Sequence, residues 1–121
     1  MSNLVVSNIS DGTTSVGTGY VVNGSAKAWV DFDGTGTIAA RDSLNLSSLT
    51  DNGTGNYTAT ISTSFSSANY ASVVSGNNSL SLQYPFQIQN NSTSAYQIGT
   101  YNLSTFADMA NTHATAFGDL A

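Results

Sequence analysis

The chain has no cysteine, no glutamate, one proline, one histidine and only two basic residues, Lys27 and Arg41, among its 121 residues. Each scarcity removes a class of explanation. Without cysteine there is no disulfide framework, thiolate zinc site or cysteine nucleophile. Two cations against seven aspartates leave a net charge of −5. Neutralising phosphates takes several clustered Lys or Arg, so no nucleic-acid partner is expected. No apolar run approaches the roughly 20 residues of a bilayer-spanning helix, and no membrane insertion is expected. The opening residues show no basic-then-apolar leader, so action outside a cell would be reached by assembly or lysis. Hydrolysis by a nucleophilic serine would have to use His113 with one of the aspartates, yet no Gly-x-Ser-x-Gly elbow precedes any serine. A carboxylate pair for glycoside cleavage needs a set separation across a groove, whereas Asp31 and Asp33 read as turn formers. The expectation is a protein that is not an enzyme and carries no cofactor.

What the chain has in plenty is small and polar. Ser, Thr, Asn and Gly make up 58 of the 121 residues. Such a composition would mean disorder if apolar residues were scarce, but they form 40% of the chain and arrive in short alternating runs. The pattern predicts an all-β protein, an antiparallel β-sandwich of jelly-roll-like type, with residues 26–121 as one head and 1–25 as an N-terminal stem. In that stem Leu4, Val5, Val6 and Ile9 form an apolar run followed by the nearly featureless SDGTTSVGTG. The run has no evident local partner, so it is expected to pair with a neighbouring subunit rather than serve as a flexible linker.

The clearest hairpin is LNLSSLT, Asp51-Asn52-Gly53-Thr54-Gly55, NYTATIS. Asn and Gly tolerate positive φ, and the second glycine permits a bulge. Tyr57, Ala59 and Ile61 should share a buried face. Leu49 is out of phase with Leu44 and Leu46, which predicts a bulge near Ser47 and Ser48. A second hairpin runs from Lys27, with Ala28, Val30 and Phe32 on one face, through Asp33-Gly34-Thr35-Gly36 to Thr37–Ala40. Further strands are expected at Tyr70–Val74, ending in a Gly76-Asn77-Asn78 turn, and from Leu80 through Pro85 to Ile88. Pro85 lacks an amide hydrogen, which marks an edge or a bulge. Another strand begins at Tyr96 and is weakened by Gly99. Leu103 to Phe117 fits helical spacing and strand alternation alike.

GSAKAWVDFDGTGTIAARDS, SLTDNGTGNYTATIST and ANYASVVSG, in that order, resemble a domain common at the C-terminal end of bacteriophage tail-fibre proteins. The likeness spans about Gly24 to Gly76; LVVSNISDGTTSV also looks like the start of such proteins, whereas Leu80 to Tyr101 shows no particular likeness. The closing ATAFGDLA is loosely similar to the family's last strand, which favours a strand at Asn111–Phe117 after a helical turn near Phe106. The resemblance implies a virion-borne, usually trimeric, adhesive fibre tip. It would be joined to itself and to other tail or fibre proteins, and would bind a host surface glycan or protein. A structural fibre cap or decoration protein is the alternative, and a calcium-dependent carbohydrate-binding module a third.

Three groups of residues invite a functional reading. Asp31 to Asp42 can be set against an EF-hand loop, with Asp31, Asp33, Thr35 and Asp42 as oxygen donors and Gly36 at the invariant glycine. The flanks read as strands and position 12 is the shorter Asp, so a turn with no metal is expected. Trp29 is expected to pack against a neighbouring sheet or subunit, and His113 to be an ordinary strand residue, though three copies near a trimer axis could share an ion. Recognition is expected in Asn77 to Tyr101. There Tyr84, Tyr96 and Tyr101 lie among Asn77, Asn78, Asn90 and Asn91, since aromatic faces with amides hold sugar rings and epitopes. The same tyrosines would equally suit a core.

Overall fold

A computed structural model describes residues 1–77 and 85–121. Among the described residues, nine strands form the head, in two antiparallel sheets with the core between them. The first sheet contains β3 (Ala26–Asp33), β4 (Ala39–Leu44), β7 (Ala71–Asn77) and β11 (Asn111–Phe117), in the order β4-β3-β11-β7. The second contains β5 (Leu46–Gly53), β6 (Asn56–Ile61), β8 (Phe86–Ser92) and β9 (Ala95–Asn102), with the short β10 (Thr105–Phe106) paired to the end of β9. The all-β sandwich read from composition and alternation is the fold. Hairpins between consecutive strands dominate its wiring, with β3–β4, β5–β6 and β8–β9 each paired within one sheet.

Period-two alternation builds the core. Ala28, Val30 and Phe32 of β3, with Ala114 and Ala116 of β11, face Tyr57, Ala59 and Ile61 of β6 and Tyr96 and Ile98 of β9. Phe32 meets Tyr57 edge to face across the two layers, centroids 5.1 Å apart, and Phe65 stacks on Tyr70 at 4.1 Å. The predicted faces of β3 and β6 are those found, as is the bulge in β5, where the register shifts between Leu46 and Ser48.

Several expectations are corrected. Leu44 and Leu46 do not share a strand, because Asn45 (φ 56°) turns the chain from one sheet to the other. Its amide pins that corner by accepting from Thr63 N–H at 2.7 Å and donating to Thr63 O at 2.9 Å. Gly76 and Asn77 are strand rather than turn, paired with Thr112 and Asn111. Gly76 is required there because a Cβ would lie 2.0 Å from Asn111 O. Phe106 sits in β10 and not in a helical turn. The expected strand from Leu80 to Tyr84 falls outside the described residues. Among the described residues its continuation, β8, pairs only with β9 and so lies at an edge, as Pro85 suggested.

The N-terminal stretch also differs from expectation. β1 (Asn8–Ser10) pairs locally with β2 (Ser15–Gly17), and α1 (Thr18–Gly24) follows. Asp11 makes the turn by accepting from Thr13 and Thr14 N–H, and Gly12 supplies φ +94°. An isolated two-stranded hairpin and a two-turn helix are each marginal in water. Neither is covered here, since Leu4, Val5, Ile9, Tyr20 and Val22 are all exposed and α1 buries no residue.

Candidate recognition face on the second sheet

The same alternation that fills the core decides what the outer face of the second sheet carries. On β9, Tyr96, Ile98 and Thr100 point inward and are fully buried, so Gln97, Gly99 and Tyr101 point outward. On β8 the outward residues are Gln87 and Gln89, and on β6 they include Asn56 and Thr58. Register then aligns them across the strands. Gly99 lies between Asn56 and Gln87, and Gln97 lies between Thr58 and Gln89.

The result is a depression of about 170 Å³ lined by these amides, Gly99, Tyr101 and Phe106. Gly99 is its floor. Its backbone is ordinary strand, and a Cβ there would approach the Tyr101 ring to 3.2 Å and the Phe106 ring to 3.4 Å. The missing side chain lets Tyr101 lean back along β9 and stack on Phe106, with centroids 4.4 Å apart and planes 25° off parallel.

Two hydrogen bonds fix the amides. Gln97 Nε2 donates to Asn56 Oδ1 at 2.7 Å, and the Tyr101 hydroxyl donates to Gln87 Oε1 at 2.8 Å. Among the described residues the Gln89 amide has no hydrogen-bond partner. Among the described residues no ionisable group except the Tyr101 phenol lines the site, and both cations of the chain lie on the first sheet.

Phe106 is held in place by a network at the end of β6. Asp108 Oδ1 accepts from Gly55 N–H at 2.7 Å and from the Tyr57 hydroxyl at 2.8 Å. Ala107 N–H donates to Thr100 O at 3.0 Å, while Thr100 N–H donates to Gly55 O at 2.8 Å. Gly55 (φ +64°) allows this approach, because a Cβ would lie 2.4 Å from Thr100 O. Burial, and then the Asp108 carboxylate, raises the Tyr57 hydroxyl pKa well above its ordinary value, so Tyr57 stays a neutral donor.

Compared with known proteins, the chain matches no family model, no curated protein and no solved structure.

Of the residues singled out in the sequence, Tyr101 lies in this depression. Tyr96 is corrected to a core residue, because its parity on β9 turns it inward and leaves no exposed surface. Asn90 also leaves the surface set. Its side chain donates to Tyr70 O and accepts from Ser72 Oγ at 2.6 Å, joining the two sheets at the β7–β8 side. Asn91 is exposed at the β8 bulge. Asn77 ends β7, opposite Asn111, while Asn78 and Tyr84 lie outside the described residues. Gln87, Gln89, Gln97 and Asn56 were missed. Their signal is the repeated Gln-Ile of FQIQ and YQIG on either side of a turn, which places glutamines opposite one another.

The outer face of the first sheet has a different character. Asp31 lies between Asp42 on β4 and His113 on β11. Arg41 Nη1 reaches Asp31 at 3.1 Å, and His113 Nδ1 lies 3.3 Å from the same carboxylate oxygen. Asp33 is a turn former: its Oδ1 accepts from Thr35 N–H at 2.9 Å and from the Thr35 hydroxyl at 2.6 Å. Neighbouring strand donors and the turn thus engage the carboxylates, and the flanks are strands, so the arrangement differs from an EF-hand cage. Among the described residues no cluster of metal-ligating side chains occurs. Trp29 is half-buried on this face, paired with Leu44 of β4 and Thr115 of β11.

Proposed function

We propose that the chain is a phage tail-fibre, receptor-binding tip, carried on the virion as a homotrimer and joined to other tail or fibre proteins. It adheres non-covalently to a bacterial surface polysaccharide or outer-membrane protein and uses no cofactor. The observation that carries this reading is the uncharged amide and aromatic depression over Gly99. It is a solvent-facing site on a rigid sheet, built mostly from Gln87 to Phe106, a stretch that largely coincides with the part showing no likeness to the tail-fibre pattern. The likeness from Gly24 to Gly76 supplies the fibre context, and the uncovered apolar N-terminal stretch supplies a reason to assemble.

That same N-terminal stretch favours a second reading, a structural fibre cap or decoration protein that recognises no receptor. Adsorption separates the two. Fluorescently labelled protein should coat host cells, and Tyr101→Ala should reduce coating while leaving the circular dichroism spectrum unchanged. Failure of the unaltered protein to coat any strain susceptible to the phage would leave the structural role.

A further inference from the structure

The adhesive reading leaves the receptor's chemistry open between polysaccharide and protein. Resting on that reading, we propose that the depression over Gly99 binds a neutral, hydroxyl-rich glycan, with one sugar ring against the Tyr101–Phe106 pair and its hydroxyls on the amides. Its volume of about 170 Å³ is of the order of a single hexose ring.

The hydrogen-bond inventory makes the case. The bond from Gln97 to Asn56 leaves Gln97 Oε1 as an acceptor and Asn56 Nδ2 as a donor. The bond from Tyr101 to Gln87 leaves Gln87 Nε2 as a donor and the phenolic oxygen as an acceptor. Gln89 offers both kinds of group and lies directly across from Gln97, where paired strand residues have Cβ atoms about 5 Å apart. The surface therefore alternates donors and acceptors at close spacing. A sugar hydroxyl donates and accepts at once, so neighbouring ring hydroxyls complement such an array. Phe106 is 46% exposed and, stacked on Tyr101, supplies an apolar surface for the C–H face of the ring.

Charge narrows the ligand further. Arg41 is paired with Asp31, Lys27 is bonded to Ser25, and both belong to the other sheet. A net charge of −5 repels acidic polymers, and no carboxylate lines the depression to attract a cationic one. An extended peptide would gain affinity by pairing along a sheet edge, whereas these groups stand on the face. Existing bonds hold Asn56, Gln87, Gln97 and Tyr101 in position, which lowers the entropy lost on binding.

The test uses the whole chain and follows side-chain NH₂ resonances by nitrogen-15 NMR during titration with dextran, mannan, galactan and, as the acidic control, polygalacturonate. At least one neutral polymer should give saturable shifts at Gln87, Gln89 and Gln97, and polygalacturonate none. Gln89→Ala and Gly99→Ala should each weaken that binding about tenfold, the equivalent of one lost hydrogen bond. The Gln89 amide bonds to no described residue and Gly99 has strand geometry, so both variants should fold; Val73→Ser on the other sheet should bind as the unaltered protein does. Equal or stronger shifts with polygalacturonate, or none with all three neutral polymers, would overturn the inference. Cell adsorption that survives periodate but not protease would also overturn it, in favour of a protein receptor and with adhesion intact. Absence of adsorption to every susceptible strain would overturn adhesion itself, whatever the titrations gave.

Discussion

Tyr96 gives the sharpest check on how the two faces of β9 are assigned. Its ring lies in the core with no exposed surface, and its hydroxyl is a buried polar atom without a partner among the described residues. Two substitutions should therefore move stability in opposite directions. Tyr96→Ala deletes a buried aromatic ring and leaves a cavity, a change that costs about 3–5 kcal/mol. Against the usual 5–15 kcal/mol of a domain, that is a large share of the whole. Tyr96→Phe removes only the oxygen. An unpaired buried hydroxyl costs about 1–3 kcal/mol in lost hydration, and the small void opened where the oxygen sat offsets part of the gain from removing it. The expected net is a stabilisation of about 1 kcal/mol, or roughly 4 °C in Tm for a domain of this size. Urea denaturation of the three proteins, with equal slopes, would measure both effects. If Tyr96→Phe instead loses 1 kcal/mol or more, the hydroxyl has a partner and water reaches the core at that point. If Tyr96→Ala keeps full stability, the residue faces solvent, and the outward assignment of Gln97 and Tyr101 fails with it.

Assembly and pH provide two further checks. Light scattering at micromolar concentration should give three times the 12.5 kDa chain mass, and Val5→Asp combined with Val22→Asp should reduce it to the monomer. A monomeric unaltered protein would refute the trimer. Burial raises the hydroxyl pKa of Tyr57, Tyr70 and Tyr96, that of Tyr70 to about 12. The native state thus holds protons that unfolded tyrosines release near pH 10. The associated stability is intact below about pH 10 and lost as pH rises through about 12. The urea midpoint should fall across that window and fall less steeply in Tyr70→Phe; a flat profile up to pH 12 would contradict the burial of these phenols.

How much of this was legible in the sequence depended on the length of the signal. β3 and β6 could be read because five or more alternating residues fix parity, whereas β11 fitted helix and strand alike and only the tail-fibre likeness favoured the strand. A turn between β5 and β6 was announced, but Asn52 and Gly53 end β5 and the turn itself is Thr54-Gly55. The break at Asn45 could not be read. A single residue with φ 56° carries no periodic signature, and asparagine there is indistinguishable from the chain's many others. The strands β1 and β2 have three residues each, below the length at which alternation separates from chance. Gly76 looked like turn chemistry, but its cause is crowding by Asn111, a residue 35 positions away that only the fold brings near. At the site, Tyr101 was visible as an aromatic among amides. The glutamines were not, because their meaning comes from register: Gln89 and Gln97 matter as a pair only once β8 and β9 are aligned.

The two outer faces show what a sandwich leaves free once its core is set. Inward parity on β9 has to supply Tyr96, Ile98 and Thr100 to the core, and inward parity on β3 has to supply Ala28, Val30 and Phe32. The alternate positions carry no such obligation, and the chain uses them differently. On the first sheet they hold the row of Asp42, Asp31 and His113 with Arg41 beside it, together with half-buried Trp29 and exposed Leu44 and Val73. On the second they hold uncharged amides around a glycine that contributes nothing to strand stability, since an interior glycine weakens a strand. A residue that costs stability thus sits where its missing side chain opens a depression beneath two stacked aromatic rings. A Cβ at position 99 would also crowd the Tyr101 and Phe106 rings, so the glycine makes room for their stack as well as for the depression. This asymmetry, more than any single polar contact, is why the proposed recognition site is put on the outer face of the second sheet.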